Sequence, residues 1–293
     1  MIARQLMSTL DDLELAYWVQ PSAAVASDRA LLLIHGAASN HTRWSEFVEH
    51  TELTHSWNII CPDMRGNGAS MTRGLQDMTS WCHDLLDILA AEKAGGAVVT
   101  GHSLGAQIAI NFAHRNPEQT RGLVLIDPVF QGSLQGRQRF VFRHRRFALG
   151  LLAVIRALNA MGIHRRHIVD RDLRELDRET RIAIAGDESF DEIAKRYGAL
   201  GPILKYMPTA NYLRQALETI EPLPPVSDID VPVLVLLSGG TTLADLELNR
   251  KEVAKFPDSQ VVTLEANHWP LTETPDAVRT AIEEWLSCRF GTT

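Results

Sequence analysis

Cysteine is scarce in this sequence, and the few cysteines form no recognisable motif. The 293 residues contain three of them, Cys61, Cys82 and Cys288. Because the count is odd and no two stand in a CxxC or metal-ligand spacing, the sequence predicts neither a disulfide framework nor a zinc or other metal site. Such cysteine usage is typical of a reducing compartment, so we expect a cytoplasmic protein.

The sequence also lacks a hydrophobic run long enough to cross a membrane. Its most apolar stretch, 147–161, is interrupted by Arg156 and Asn159 and is shorter than the roughly 20 residues that a bilayer requires. We therefore predict a buried helix or a helix of a lid there, and no membrane span. The first ten residues lack the apolar core and small-residue cleavage site of a signal peptide, so no export signal is expected.

An excess of positive charge is missing as well. The chain has 29 Lys and Arg against 36 Asp and Glu, a net charge of −7. This balance argues against nucleic acid as the main partner. Positive charge is concentrated between Arg137 and Arg181, where we expect the solvated helical surface of a lid rather than a specific anion site.

Apolar residues are plentiful, at 45% of the chain, which is enough for a large core without disulfides or metals. Short apolar runs recur, and each is followed by a segment of helix length. The predicted strands are 13–19, 30–34, 57–61, 97–100, 122–126, 231–237 and 260–264, and the clearest predicted helices are 77–93, 104–115 and 275–288. The alternation predicts an α/β fold with a mostly parallel sheet covered by helices, preceded by one antiparallel strand.

About a hundred residues between Pro128 and Pro225 interrupt this alternation. They show helical patterning and no convincing strand, and a group of prolines marks the return to the sheet. An insertion at this point lies over the carboxyl ends of the strands, where open α/β sheets bind ligands. We therefore predict a core formed by 1–128 and 226–293, and a helical cap formed by 129–225.

The segment Gly101-His102-Ser103-Leu104-Gly105 carries the first candidate catalytic residue. It follows the predicted strand 97–100 and opens the predicted helix 104–115, the strand–turn–helix context in which a nucleophilic serine is presented. The glycines allow a sharp turn that exposes the Ser103 hydroxyl, and amides at the helix start can stabilise negative charge. The pattern predicts Ser103 as the nucleophile.

Two backbone amides are the candidate oxyanion donors. The apolar strand 30–34 runs into a loop of small residues, where the backbone can approach a substrate closely. Acyl transfer needs fixed N–H groups where the carbonyl oxygen becomes negative, and we assign this role to Ala37 and Leu104. His35, at the start of the loop, is expected to brace it or to line the substrate site.

His268 is the candidate base. It lies after the last predicted strand and before the final helix, far from Ser103 in sequence. A serine hydroxyl is a poor nucleophile at neutral pH, so an imidazole must take its proton and later return it to the leaving group.

These motifs together resemble the α/β-hydrolase superfamily. The resemblance is carried along the chain by Ile34-His35-Gly36, by 62–70, by the Ser103 turn and by Asn267-His268. It implies a serine-nucleophile esterase or lipase without a cofactor, with helices on both faces of the sheet and a helical cap inserted after the sixth strand. The chain departs from the family at Asn267, since a glycine usually precedes the late histidine.

A second departure concerns the acid that orients the histidine. Family members usually carry it in the turn after the strand here predicted at 231–237, but 238–244 contains no carboxylate. The first acid beyond it, Asp245, directly precedes a helix-like segment and could simply cap that helix. Asp127, directly after the predicted strand 122–126, stands where some relatives, including certain haloalkane dehalogenases, place the acid. We favour Asp127 and keep Asp245 as the alternative.

The leading functional hypothesis is hydrolysis of a carboxylic ester or related acyl compound through an acyl-serine. Candidate substrate-lining residues point to an apolar or aromatic small molecule. These residues are His35, Trp44, Phe130 and Trp269. Two further enzymatic hypotheses, a cofactor-free dioxygenase and a carbon–carbon bond hydrolase, use a His268–Asp127 dyad on the same scaffold. A hydrolase-like small-molecule receptor is the non-enzymatic alternative, and a homodimer is compatible with the sequence.

Overall fold

An eight-stranded sheet organises the fold. The computed structural model describes residues 1–24, 27–186, 192, 200–240 and 244–291. The strands are β1 (Ile2–Met7), β2 (Glu14–Gln20), β3 (Ala30–Ile34), β4 (Asn58–Pro62), β5 (Ala97–His102), β6 (Thr120–Ile126), β7 (Val233–Ser238) and β8 (Ser259–Leu264). Their order is β1-β2-β4-β3-β5-β6-β7-β8, with β2 antiparallel to both of its neighbours and all other pairs parallel. The predicted mostly parallel α/β-hydrolase sheet is confirmed.

β1 is the one strand that the sequence analysis missed. It pairs with β2 from Ile2 opposite Val19 to Met7 opposite Glu14, so its backbone is bonded along its length. Its side chains are nearly all exposed. A strand at the sheet edge that buries neither face shows no period-two apolar pattern, which is the signal on which strand prediction depends.

Helices cover both faces of the sheet. They are α1 (Ser45–His50), α2 (Met78–Ala91), α3 (Leu104–Arg115), α4 (Gly136–Arg143), α5 (Arg145–Ala160), α6 (Leu173–Ala185), α7 (Leu200–Tyr206), α8 (Thr209–Glu218), α9 (Leu246–Val253), α10 (Pro270–Glu273) and α11 (Pro275–Phe290). Because successive strand residues point to opposite faces, Leu32 and Ile34 of β3 pack with α2 and α3, whereas Leu31 and Leu33 pack with α1 and α11. A central strand buried on both sides is typical of parallel sheets.

The segment between β6 and β7 is helical, as predicted for an insertion after the sixth strand. Helices α4 to α8 lie in it, and its residues 187–191 and 193–199 fall outside the described part of the chain. A third, smaller apolar cluster joins Leu152 of α5 to Ala210 and Leu217 of α8. The predicted stretch 147–161 forms most of α5. Within the described ranges, no helix has both the length and the apolar character needed to cross a bilayer.

Polar contacts anchor helix α6 to the rest of the molecule. The buried Arg43 guanidinium donates to the buried Asp177 carboxylate on α6 at 2.5 Å and to the Thr272 hydroxyl at 2.8 Å. The Leu173 amide donates to the Thr42 hydroxyl at 3.0 Å. Separation of a buried ion pair is costly because it leaves a buried charge without a partner. The Arg43–Asp177 pair therefore fixes α6 close to the turn that follows His268.

Candidate active site

Ser103 stands in a strained turn between β5 and α3. Its backbone angles are φ 54° and ψ −118°, a region that residues with a side chain rarely adopt. A Cβ on Gly101 would lie 2.1 Å from the Gly105 carbonyl oxygen, and one on Gly105 would lie 2.4 Å from the Ile34 carbonyl oxygen. The turn therefore requires glycine at both ends, which is why the sequence carries them there.

His268 reaches Ser103 from the loop after β8. Its Nε2 lies 3.1 Å from the Ser103 Oγ, and both side chains are buried. For the hydroxyl to donate, Nε2 must carry no hydrogen, so the ring proton is on Nδ1. Burial lowers the pKa of His268 well below its ordinary value, and the neighbouring His102 lowers it further. The imidazole is therefore neutral at neutral pH, the state in which it can accept the serine proton.

Of the two candidate acids, the structure brings Asp127 to His268. The Asp127 Oδ2 lies 3.7 Å from the His268 Nδ1, an ion-pair distance longer than a hydrogen bond. Asp245 instead caps α9, where its carboxylate accepts from the Leu248 amide at 2.9 Å and from the Gln135 side chain at 3.0 Å. Its position is the helix cap that the sequence analysis weighed as an alternative.

Ser238, the last residue of β7, was missed by the sequence analysis. Its amide donates to the Asp127 Oδ1 at 2.7 Å, and its hydroxyl donates to the Asp127 Oδ2 at 2.5 Å. Burial raises the pKa of Asp127 to about 7, the two bonds from Ser238 oppose that rise, and Glu273 adds to it. The signal that could have indicated Ser238 was its position, because it opens the turn after β7 in which family members usually carry the acid.

The candidate oxyanion donors flank the turn. A Cβ on Gly36 would lie 3.2 Å from the His102 carbonyl oxygen and 3.5 Å from the Ser103 Cβ, so the loop that carries Ala37 packs directly against the nucleophile. Leu104 is the first residue of α3, and a first-turn amide has no acceptor within its own helix. The pairing of these two amides around an oxyanion stays a prediction.

Two buried histidines fix the backbone around the site. The His35 Nδ1 donates to the Gly36 carbonyl at 2.8 Å while its Nε2 accepts from the Met64 amide at 3.0 Å. Both ring nitrogens are thus used within the fold, which supports the bracing role of His35 and not the substrate contact. His102, which the sequence analysis did not assign, donates from Nε2 to the His268 carbonyl at 2.9 Å. Burial lowers the pKa of each ring to about 4.

The three predicted aromatic lining residues occupy different environments. Trp44 is fully buried and meets Phe47 edge-on in the apolar layer beneath α1 and α11, so its prediction as a substrate contact needs correction: it is a core residue. Phe130 is 4% exposed and belongs to the layer beneath α2 and α3. Trp269 is half-buried, and its ring contacts the His268 ring at 5.6 Å between centroids. It is therefore the aromatic residue of this set that adjoins the base.

Glu273 holds the loop on both sides of His268. Its carboxylate accepts from the Asn267 amide and side chain at 2.9 Å each and from the Trp269 amide at 3.0 Å. The asparagine that replaces the usual family glycine therefore has a function in the loop, because its side chain provides one of these three donors. The position of the His268 ring is set by bonds to the residues next to it.

A cavity of about 400 Å³ opens beside the candidate oxyanion loop. Its walls come from the loops of the core and from the inserted helical segment. Among them are Ala38, Asn67, Met71, Thr72, Ile168, Ile203, Tyr206 and Met207. Ala38 follows the candidate donor Ala37 and has a positive φ of 50°, and its amide donates to the Gln215 side chain of α8 at 2.8 Å. The inserted helices thus contact the backbone next to the site.

One group of residues in the described part of the chain brings three potential metal ligands within 4.8 Å of one another. It consists of His83, Asp84 and Asp87 on α2. The Arg65 guanidinium donates two hydrogen bonds to Asp84 at 2.7 and 2.8 Å, and Asp87 accepts from the Thr9 hydroxyl at 2.8 Å. The carboxylates are thus engaged in fastening the N-terminal hairpin to α2, and the group is not part of the Ser103 site.

Comparisons with known proteins identify the family of this chain. The family model described as the alpha/beta hydrolase family matches residues 31–281. A thermophilic esterase from Thermogutta terrifontis has the same fold, with a TM-score of 0.70, 22% identity and 99% of each chain covered. The esterase YbfF of Escherichia coli is 24% identical over 262 residues, 88% of this chain and 92% of its own.

An uncharacterized protein of Mycobacterium tuberculosis is 30% identical over 125 residues, which are 42% of this chain. The matched segment spans only 35% of that relative's length. The family match is far longer, since it runs from β3 into α11 and includes Ser103, Asp127 and His268. This chain therefore belongs to the α/β-hydrolase family.

Proposed function

We propose that this protein hydrolyses a carboxylic ester or a related acyl compound, with Ser103 as nucleophile and His268 as general base. The observation that carries the proposal is the 3.1 Å contact between the Ser103 Oγ and the His268 Nε2 at a strained turn. A buried, neutral imidazole at this distance is the arrangement that makes a serine hydroxyl reactive. The names of two similar proteins, the esterases of Thermogutta terrifontis and Escherichia coli, agree with this activity.

The first half of the reaction forms the acyl-enzyme. His268 Nε2 takes the hydroxyl proton as the Ser103 Oγ attacks the carbonyl carbon, and the amides of Ala37 and Leu104 stabilise the oxyanion. The Asp127 carboxylate stabilises the imidazolium that forms. The imidazolium then gives its proton to the departing alkoxide, and the alcohol leaves.

In the second half, water takes the place of the alcohol. His268 removes a proton from the water as its oxygen attacks the acyl carbon, and the same two amides stabilise the second oxyanion. Collapse of this intermediate breaks the bond to the Ser103 Oγ, which regains its proton from the imidazolium. The carboxylic acid is released, and the enzyme returns to its starting state without a cofactor.

The inserted helical segment supports a medium-sized, partly apolar substrate. The walls of the cavity beside Ala38 combine apolar and charged side chains, which are Met71, Ile168, Ile203 and Met207 on the one hand and Arg73, Arg166, Asp170 and Arg171 on the other. Ligand pockets of this size are typically lined by apolar side chains with a few polar groups that fix orientation. We assign the cavity to the part of the substrate that does not react.

A fluorophosphonate tests the nucleophile without knowledge of the substrate. We expect the intact mass of the wild-type protein to rise by one adduct and the mass of Ser103→Ala to stay unchanged. A panel of p-nitrophenyl esters of increasing acyl length then tests turnover. Labelling of both proteins, or of neither while both remain folded, contradicts the acyl-serine mechanism.

Cofactor-free oxygenation is a second candidate, favoured by one specific observation. The acid next to His268 follows β6 and not β7, and it forms with His268 the dyad that the dioxygenase hypothesis requires. In that chemistry the His268–Asp127 dyad removes a proton from a substrate hydroxyl, and Ser103 is not a nucleophile. Oxygen uptake with an aromatic hydroxy-ketone that persists in Ser103→Ala would select this candidate.

A further inference from the structure

The outer face of α5 carries a continuous apolar stripe. The inner face, with Leu152 as its most buried residue, packs on the inserted helices. On the outer face of α5, five exposed apolar residues are spaced alternately four and three residues apart. They are Phe147, Leu151, Val154, Leu158 and Met161, with exposed fractions of 77%, 45%, 58%, 36% and 66%. Residues at this spacing lie above one another on a helix, so the five side chains form one surface, here called the α5 stripe.

Exposed apolar side chains are concentrated around this helix. Among the described residues, eighteen large hydrophobic side chains are exposed, and nine of them lie in 140–169. The four outside the α5 stripe are Phe140, Leu149, Ile163 and Val169. Single exposed apolar residues are ordinary on protein surfaces, but a continuous surface such as the α5 stripe is typical of an interaction site.

The same segment carries an excess of positive charge, of which Arg145 is paired with Glu221. Residues 128–169 contain eight arginines and no aspartate or glutamate, in a chain whose net charge is −7. Exposed arginines precede the stripe at Arg139, Arg143 and Arg146, and two more follow it at Arg165 and Arg166. The apolar surface is therefore bordered at both ends by guanidinium groups.

This combination identifies the chemistry of the partner. A second copy that packed on the same face would bring two arginine-rich, acid-free segments together, which charge repulsion opposes. Nucleic acid would satisfy the arginines and leave the stripe in water. An anionic lipid surface satisfies both, because acyl chains receive the apolar side chains while phosphates meet the arginines.

We propose that α5 and its flanking arginines dock this protein onto the surface of an anionic phospholipid membrane. The helix has 16 residues and would lie in the interface plane, with its apolar face among the acyl chains. No residue of the α5 stripe lines the cavity beside Ala38, although the flanking Arg166 does, so the inference stands whether or not the esterase proposal holds.

Vesicle binding tests this proposal. We expect the full-length protein to sediment with phosphatidylglycerol vesicles about tenfold more tightly than with phosphatidylcholine vesicles, and the binding to weaken in about 0.5 M NaCl. The double variant Phe147→Ser, Val154→Ser should lose most of the binding. The double variant Arg143→Gln, Arg146→Gln should lose the preference for the anionic lipid.

Matched controls separate docking from folding and catalysis. Leu248→Ser with Val261→Ser changes two exposed apolar residues outside the stripe, 41% and 39% exposed on α9 and β8, and should bind vesicles like the wild type. The stripe variant should keep the wild-type melting temperature and its turnover of a water-soluble ester.

Three results would overturn the proposal. They are equal affinity for the two lipids, undiminished binding by the stripe variant, and a wild-type dimer that dissociates in the stripe variant without any vesicle binding. The last result would assign the face to a second copy of the chain.

Discussion

Ser238 donates one hydrogen bond to each carboxylate oxygen of Asp127, from its amide at 2.7 Å and from its hydroxyl at 2.5 Å. Ser238 is the last residue of β7 and Asp127 directly follows the neighbouring parallel strand β6, so the bonds join adjacent strand ends at the edge of the sheet where Ser103 lies. Asp127, the acid that we favour, stands one strand away from the position where family members usually carry it. Ser238, at the end of the strand after which the acid usually follows, orients the Asp127 carboxylate and stabilises its charge.

We expect the pH profile of ester hydrolysis to report this relationship. Burial raises the pKa of Asp127 to about 7, and the ionised form is the one that stabilises the imidazolium. Activity should therefore rise with pH through an acid limb near pH 7 that belongs to the His268–Asp127 pair. Ser238→Ala removes a bond that lowers this pKa, so its acid limb in kcat/KM should lie at higher pH. Activity should be reduced at pH 7 and largely restored at pH 9.

A buried serine elsewhere provides the control for Ser238→Ala. The Ser133 hydroxyl donates to the Phe130 carbonyl at 2.8 Å and is fully buried, but it does not touch Asp127. Ser133→Ala should leave the acid limb in place. A loss in Ser238→Ala that is uniform from pH 6 to 9 would show that Ser238 acts by packing alone.

Exchange of the two candidate acids for asparagine distinguishes their roles. Asp127→Asn keeps the shape but removes the charge next to His268 and favours the wrong tautomer, which lowers kcat by about 10⁴-fold in serine hydrolases. Asp245→Asn should leave kcat unchanged, and also stability, because asparagine caps helices as well as aspartate does. Steady-state kinetics and thermal unfolding of both variants check this. Equal, mild losses in the two would contradict the assignment.

The strained backbone of Ser103 predicts that replacement by glycine abolishes activity but increases the free energy of unfolding. Ser103→Ala and Ser103→Gly should both abolish ester hydrolysis, since neither has a hydroxyl. Only Ser103→Gly relieves the positive φ of 54°, so it should be more stable than Ser103→Ala by about 1 kcal/mol. Denaturant titration of the two inactive variants measures the difference, and equal midpoints would argue against stored strain at the turn.

Stability should depend on pH through the buried histidines. Burial lowers the pKa of His35 from 6.5 to about 4, so between these values the unfolded chain binds a proton that the folded chain does not. The free energy of unfolding should therefore fall as the pH falls from 6.5 to 4, by about 1.4 kcal/mol per unit for this residue. His35→Gln should reduce that slope by one proton. An unchanged slope would mean that the ring is protonated in the folded protein.

The fold was largely predictable because the strands β2 to β7 are mostly buried. The predicted strand 30–34 coincides with β3, where all five residues are inaccessible to solvent and apolar. β1 could not be found in the same way, because nearly all its side chains are exposed and its stability comes from backbone pairing with β2. Apolar patterning reports burial, and it is silent where a strand is held by its backbone alone.

The contact between the candidate residues Ser103 and His268 could be expected from local motifs, and the structure places their side chains 3.1 Å apart. The choice between Asp127 and Asp245 depends on which strand end adjoins the late histidine, a relationship between segments more than a hundred residues apart. Ser238 and His102 act through bonds to Asp127 and to the His268 carbonyl, and no local motif encodes either bond. Trp44 was misplaced because a large aromatic residue near a site motif can equally belong to the core.

The loop before the base has a consequence for how related sequences can differ. A Cβ on Gly240 would lie 2.5 Å from the Asn267 Oδ1. The side chain of Asn267, which stands in place of the usual family glycine, therefore occupies the space that a side chain at position 240 would need. A side chain at position 240 would require the Asn267 amide to move, and it would also lie 3.0 Å from the Ala266 carbonyl oxygen. Homologues with a residue larger than glycine at position 240 should carry glycine or alanine at position 267. Positions 240 and 267 should therefore vary together, a dependence that a substitution matrix scoring each position independently would miss.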